Sequence, residues 1–357
     1  MAVQAPAPPA APGEPAGLAV DDETWDRFVA AAPGASYLQT TPWARVKAPN
    51  GWEATRVVAG SDDTTVGAQV LTRRVPGLPW RFGYAPRGPI AREFERAAVG
   101  EFTGALRERA RALHVSHVRV DPEVEEGAPL SRWLAQLGWR PAPEVQPTST
   151  RLIDLAQGEE ALWSGMHRKC RQSVNKARRA GIRVVDADGE DLRDFYRIHA
   201  EAAVRAGISP RTEATYRAIW NAFAPRGMAL LLFAESASGE RLATIFLVGC
   251  GQRIVDLYGG TTREGASARA NYIVKWEAML RARSAGFALY DLWGMPHPGI
   301  AQFKAGFGGR EVRYVGAWDL VVDRLGRTAL EAGIRLRSGY ARWRRGTGPG
   351  AGAEATS

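Results

Sequence analysis

Apolar and polar positions along the chain fall into short blocks that predict alternating helices and strands. The first ordered block is Asp21–Ala32, an acidic start followed by Trp25, Phe28 and Val29 at helical spacing. In Ser36–Trp52, Pro42 suits the first turn of a short helix ending at Lys47, before the turn Pro49-Asn50-Gly51. Thr55–Ala59 and Val66–Thr72 are β-rich runs joined by the polar turn Gly60–Thr65, which predicts a hairpin. Arg81–Pro89 reads as a third strand ending in a Pro/Gly loop, Glu93–Leu113 as a helix and Val115–Val120 as a strand ending in Asp121-Pro122. A short helix, Pro129–Leu137, closes this half.

The second half repeats that order. Met228–Ala234 and Leu242–Cys250 predict a hairpin, Arg253–Tyr258 a strand ending in Gly259-Gly260, Ala270–Ala285 a helix and Phe287–Leu292 a strand. A short helix and Gly306-Phe307-Gly308 complete it. Tyr84 and Tyr258 are separated by 174 positions, Asp121 and Asp291 by 170, so corresponding points recur at a nearly constant interval. The pattern predicts an α/β (α+β) chain of two tandem domains with one shared architecture, hairpin–strand–helix–strand–helix. That order is the one found in GNAT acyltransferases, although a fold does not by itself fix chemistry.

A length of 357 residues suits two domains, and 45% hydrophobic with 24% charged residues is ordinary for a globular protein. The net charge of +9 favours an anionic partner such as nucleic acid, a nucleotide-bearing metabolite or an anionic membrane face. Two separated cysteines, Cys170 and Cys250, make no disulfide framework, and five scattered histidines make no zinc site. No secretory signal is visible, and the longest apolar runs are strand-sized rather than membrane-spanning. The expectation is a cytoplasmic, monomeric protein without cofactor or metal. Residues 1–17 and 346–357, rich in Ala, Pro and Gly, read as disordered tails.

Three stretches carry candidate chemistry. In Tyr290–Gly309, Asp291 ends a strand, and Phe303 and Lys304 precede three glycines that let backbone approach a ligand closely. A lysine at such a turn suits a phosphate or a developing oxyanion, and equally a solvated surface position. His167–Arg183 holds seven basic residues (Arg168, Lys169, Arg171, Lys176, Arg178, Arg179 and Arg183) and no acid, a helix suited to an RNA backbone. Arg205 and Arg211 flank a bend at Gly207 and Pro210 that could aim two guanidiniums at one anion, or leave them paired with Glu201 and Glu213. A last strand, Tyr314–Val322, leads into a basic helix, Arg324–Arg345, suited to packing on a domain or lying on an anionic membrane.

Across LQTTPWARVK (38–47), FGYAPRGP (82–89), TRLIDL with MHRKCRQSVNKARRAGIRV (150–155, 166–184), VDLYGGTTREGASARANYIVKWEAML (255–280) and YDLWGM…GIAQFKAGFGG (290–309), the chain resembles the FemABX family. These are aminoacyl-tRNA-dependent peptidoglycan aminoacyltransferases. The resemblance implies two GNAT-like domains without a coiled-coil arm: 18–150 plus 314–345, and 151–313. It implies transfer of an amino acid from aminoacyl-tRNA to a stem-peptide amine on a lipid-linked or UDP-linked muropeptide; glycine, alanine and serine are all open as cargo, and the Ala/Arg/Gly/Pro-heavy composition favours glycine. Contact with the inner membrane face is a further expectation. Lys304 and Phe303 then become the catalytic candidates. Lys47, Tyr84, Arg205, Arg211, Tyr216 and Tyr258 would bind the muropeptide, and Arg168, Lys169, Arg171, Lys176, Arg178 and Arg179 the tRNA. The sequence departs from the family where Ile90-Ala91-Arg92-Glu93 follows Pro89 in place of an early aspartate. An acyl-CoA-dependent GNAT enzyme is the alternative, against which the segment Thr262–Ala270 lacks the spacing of a pyrophosphate-binding turn. A non-catalytic RNA- or membrane-binding protein is a third.

Overall fold

The computed structural model describes residues 20–295 and 298–333. Both expected tails, His297 and the end of the C-terminal basic helix lie outside them. The chain opens with α1 (Asp22–Ala31), capped by the Asp21 carboxylate on Thr24 N–H, and α2 (Thr41–Lys47), which has Pro42 in its first turn. Then come β1 (Glu53–Ala59), β2 (Val66–Arg74), β3 (Arg81–Ala85), β4 (Ile90–Ala91), α3 (Arg96–Ala112), β5 (Val115–Val120), α4 (Leu130–Gln136) and β6 (Arg140–Ala142). The second half runs β7 (Ser149–Asp154), α5 (Glu159–Gly165), α6 (Arg168–Arg179), β8 (Arg183–Ala187), α7 (Leu192–Arg205) and α8 (Glu213–Phe223). It continues with β9 (Ala229–Glu235), β10 (Arg241–Cys250), β11 (Arg253–Thr261), α9 (Arg263–Ser267), α10 (Ala270–Ser284), β12 (Leu289–Asp291), α11 (Pro298–Ala305) and β13 (Arg310–Arg313). β14 (Ala317–Val321) and a helix over 324–333 follow.

The first sheet has the order β1-β2-β3-β5-β14-β6, with β4 on β2, so the last strand lies among strands of the first half. The second has the order β13-β7-β12-β11-β10-β9-β8. Each contains an antiparallel hairpin, then a strand joined through a helix to a parallel neighbour: β3–α3–β5 in one, β11–α10–β12 in the other. The duplicated pattern in the sequence is therefore a duplicated topology, the tandem GNAT fold. No coiled-coil arm occurs among the described residues.

Among the described residues three large apolar cores hold this together, beside a small cluster of Leu152, Val312 and Tyr314. One lies under α3 on the first sheet, one under α6 and α10 on the second. The third joins the halves: Trp25, Tyr37 and Trp43 near the N-terminus pack with Phe195, Tyr216 and Phe223 of α7 and α8 and with Phe233 and Phe246 of the second sheet. Trp25 is fully buried there, and its indole N–H donates to the Gln39 carbonyl at 2.7 Å. Trp25→Ala should cost roughly 3–5 kcal/mol in equilibrium denaturation, as large buried aromatics do. An unchanged midpoint would mean that this core does not join the halves.

Candidate active site

The parallel pairs of the two sheets end differently. β3 pairs with β5 as far as Ala85, its last residue. β12 pairs with β11 only over Arg253–Val255, where Val255 faces Asp291, while β11 continues to Thr261. The second parallel pair is thus open beyond Asp291. Within β11 the register against β10 slips, Phe246 facing Tyr258 and Leu247 facing Asp256, which makes Leu257 an extra residue. Such a bulge turns neighbouring side chains to different faces. Asp256 pairs with Lys275 of α10, whereas Tyr258 packs against Tyr216 of α8.

Lys304, near the end of α11, donates to the carbonyl oxygens of Trp293 and, at 2.5 Å, of Gly294. Burial pushes its pKa down to about 8; the Asp256 and Asp291 carboxylates pull upward and the Lys275 ammonium adds to the decrease. Beside it, Phe303 packs edge-on against Tyr272 (5.1 Å) and Phe307 (5.3 Å), and the Lys275 ammonium lies 5.9 Å from the Phe303 ring. Asp256, Lys275 and Trp293 were not legible as parts of this group. An aspartate inside the apolar run IVDLY and a lysine inside the apolar helix ANYIVKWEAML were the available signals.

A second group gathers where α2 meets α8. The Lys47 ammonium lies 5.7 Å and 5.9 Å from the Trp43 and Trp52 rings. Its pKa is lowered by burial and then by the charges of Arg211 and Arg73. Among the described residues neither Lys47 nor Arg211 forms a salt bridge. Tyr258, whose hydroxyl burial pushes up to about 12 with Arg211 pulling the other way, packs edge-on against Tyr216 at 4.9 Å. Tyr216 is held by His199, a residue the sequence reading passed over. His199 Nδ1 lies 2.9 Å from the Gly259 carbonyl, which can only accept, so Nδ1 carries the proton. Nε2 then accepts from the Tyr216 hydroxyl at 3.0 Å, and the hydroxyl oxygen accepts the Arg211 N–H at 3.2 Å. Burial lowers the His199 pKa and keeps this tautomer neutral. Lys47 and Arg211, neither with a carboxylate partner among the described residues, thus lie near Tyr216 and Tyr258.

The remaining expected residues are distributed differently. Arg205 is engaged by Glu201 at 2.5 Å and by the Thr261 carbonyl, so it does not join Arg211 on one anion. Tyr84 donates to Asp121 at 2.7 Å and accepts from Gln146 at 3.1 Å, at the seam between the halves. Glu93 is exposed on a bend. On α6, Arg168, Lys169, Lys176 and Arg179 are exposed, whereas Arg171 donates to the Ser164 and Met166 carbonyls at 2.8 and 2.6 Å. Arg178 pairs with Glu277 at 3.4 Å and lies over Trp163. The start of α6 is tied to the glycine turn after Lys304, His167 N–H donating to the Gly306 carbonyl at 2.9 Å.

The fold and this open second sheet define a tandem GNAT-fold protein. A family model for the acetyltransferase (GNAT) domain matches residues 164–305, and one for the FemAB family matches residues 20–128. The lipid II:glycine glycyltransferase of Staphylococcus saprophyticus is 29% identical over 227 residues, 60% of this chain and 55% of that protein. Its Staphylococcus aureus counterpart is 27% identical over 237 residues, 63% and 56% of the two chains. The chain spans about half the length of these curated relatives. A crystal structure of FemX covers 87% of this chain and 98% of its own with a TM-score of 0.81 at 21% identity. A tandem GNAT protein from the clavulanic acid pathway covers 85% and 96%, with a TM-score of 0.52 at 16% identity. At those identities the two structures speak for the fold. The chain is thus similar to the FemAB family over residues 20–128 and to glycyltransferases over about 60% of its length.

If Lys47 and Arg211 share one anion, Arg211→Ala should weaken inorganic pyrophosphate binding about tenfold or more, the scale of a lost charge-assisted hydrogen bond. Calorimetry at two salt concentrations would measure it, and equal affinity for wild type and variant would contradict the assignment.

Proposed function

We propose that this protein is an aminoacyltransferase that moves an amino acid, glycine by preference, from aminoacyl-tRNA to the stem-peptide amine of a lipid-linked or UDP-linked muropeptide. The observation that carries the reading is Lys304, an ammonium held by two carbonyls at the open end of the second sheet. The nearest chemistry is amide formation from an ester. The amine attacks the ester carbonyl and a tetrahedral oxyanion forms. Collapse makes the C–N bond and breaks the C–O bond, and the proton lost by the amine ends on the departing ribose oxygen. An aminoacyl ester is already activated, so no enzyme nucleophile is needed, and the protein's tasks are orientation and charge stabilisation. Lys304 offers its ammonium to the oxyanion or the leaving oxygen, and Phe303 walls the pocket. Lys47, Arg211, Tyr216 and Tyr258 hold the anionic head of the muropeptide. The exposed Arg168, Lys169, Lys176 and Arg179 of α6 face the tRNA backbone; Arg171 and Arg178 shape the helix and its surroundings.

The relatives named as lipid II:glycine glycyltransferases support the acceptor class and the choice of glycine. An acyl-CoA-dependent reaction fits less well. The β11–α10 connection, where a coenzyme A turn would open the helix, is folded into α9 under a Thr262 cap on Gly265 N–H at 3.0 Å. Among the described residues no helix is long and apolar enough to cross a membrane.

Lys304→Ala should lower kcat by about a hundredfold or more, the scale for a lost oxyanion donor, with little change in KM for the muropeptide. The wild-type rate should fall as pH rises through about 8, because the lowered pKa discharges the ammonium there. An unaltered kcat in the variant, or a flat alkaline profile in the wild type, would remove Lys304 from the mechanism.

A further inference from the structure

Behind Lys304 lies a buried chain of charges that spans both halves. Asp291 is fully buried at the end of β12, and Arg253, at the start of β11, is 6% exposed. One Asp291 oxygen, Oδ1, accepts the Trp293 N–H at 2.7 Å and the Thr150 hydroxyl; the other accepts the Arg253 guanidinium. Arg253 also reaches Glu123, from the first half, and the Tyr314 hydroxyl at 3.1 Å. Glu123 in turn takes Arg87 at 3.0 Å, and the Arg87 guanidinium lies 4.8 Å from the Trp293 ring and 5.1 Å from that of Tyr314. Trp293 is thus gripped twice, by its N–H and by its ring. Its φ is +52°, a left-handed conformation that a bulky residue adopts only when its surroundings impose it. Its carbonyl is one of the two that take the Lys304 ammonium.

We infer that Asp291 is a positioning residue for Lys304. Clamped by Arg253, it fixes the left-handed turn at Trp293 and so aims the Trp293 and Gly294 carbonyls at the ammonium. The inference rests on Lys304 acting in the transfer, and it extends the functional unit to Asp291, Arg253 and Trp293. The charged groups around Lys304 are Asp256, Lys275 and Asp291. Loss of the Asp291 charge removes one of the two carboxylates that favour the protonated amine.

The alternative is that the network only fastens the two halves together. Three variants of the full-length protein separate these readings when thermal midpoint, kcat, KM for the muropeptide and the pH profile are measured together. Asp291→Asn should lower kcat by roughly tenfold to a hundredfold, the scale of a misplaced catalytic group, at nearly constant KM. Its alkaline limb should move to lower pH. Glu123→Gln weakens one charged link between the halves, that to Arg253 and Arg87, but leaves Asp291 on Trp293 N–H, so its midpoint should fall while the alkaline limb stays in place. Arg253→Lys keeps a cation in the seam and so preserves the fold if Asp291→Asn does not. A single ammonium cannot replace the fork on both carboxylates, and kcat should drop about tenfold. Losses of kcat that only track the midpoint, with the limb unmoved in Asp291→Asn or, where that variant fails to fold, full kcat in Arg253→Lys, would overturn the inference. Activity retained in Lys304→Ala would instead overturn the role of Lys304. Lys304→Ala inactive beside a fully active Asp291→Asn would overturn the positioning role alone.

Discussion

An ammonium drawn out of water must be met by fixed dipoles and charges, or it gives up its proton. Much of the second half is arranged around meeting that of Lys304. Two carbonyls touch it, two carboxylates favour its charge, and a neighbouring ammonium opposes it. The balance leaves a pKa of about 8, between a solvated lysine and a discharged one. A group poised there keeps a positive charge near neutrality and can part with or regain a proton at small cost.

The molecule uses one topology twice and opens it once. In the first half the parallel pair stays closed to the end of β3, while in the second it parts after Val255 and Asp291. The first half contributes from outside the opening. It brings Lys47 on α2 against α8, through the aromatic core that includes Trp43, Tyr37 and Phe223. It also sends Glu123 and Arg87 into the buried seam. Duplication therefore gives one closed half and one open half, with the closed half sending charged side chains into the seam.

The main elements were legible because apolar periodicity marks them. Val115–Val120 was read to the residue, and α3, α10 and the hairpin strands to within a few positions. Strands escaped where charge interrupts the pattern: Arg183–Ala187, Arg310–Arg313 and Arg140–Ala142 are edge strands, whose outer faces are free to be polar. Ser149–Asp154 is interior yet carries Arg151, which reaches the Gly309 carbonyl at 2.8 Å. Lys47, Arg211, Tyr216, Tyr258, Phe303 and Lys304 are candidates that the resemblance names. Their grouping is not legible in the sequence, since it depends on the bulge at Leu257 and on Arg205 being taken by Glu201. Asp291 was read as a strand-end carboxylate, and its pairing with Arg253 shows what a buried strand end requires: a counter-charge brought from elsewhere in the chain.

The proposed reaction passes an amino acid from tRNA to a muropeptide amine without a coenzyme A intermediate. Its most direct measurement is transfer of radiolabel from a mixed pool of charged bacterial tRNAs to lipid-linked and UDP-linked muropeptides, with and without RNase, beside labelled acetyl-CoA. Label should appear in the muropeptide, with glycine as its chief carrier, and transfer should stop when the RNA is digested. Acylation from acetyl-CoA, with none from any tRNA, would contradict the proposed reaction.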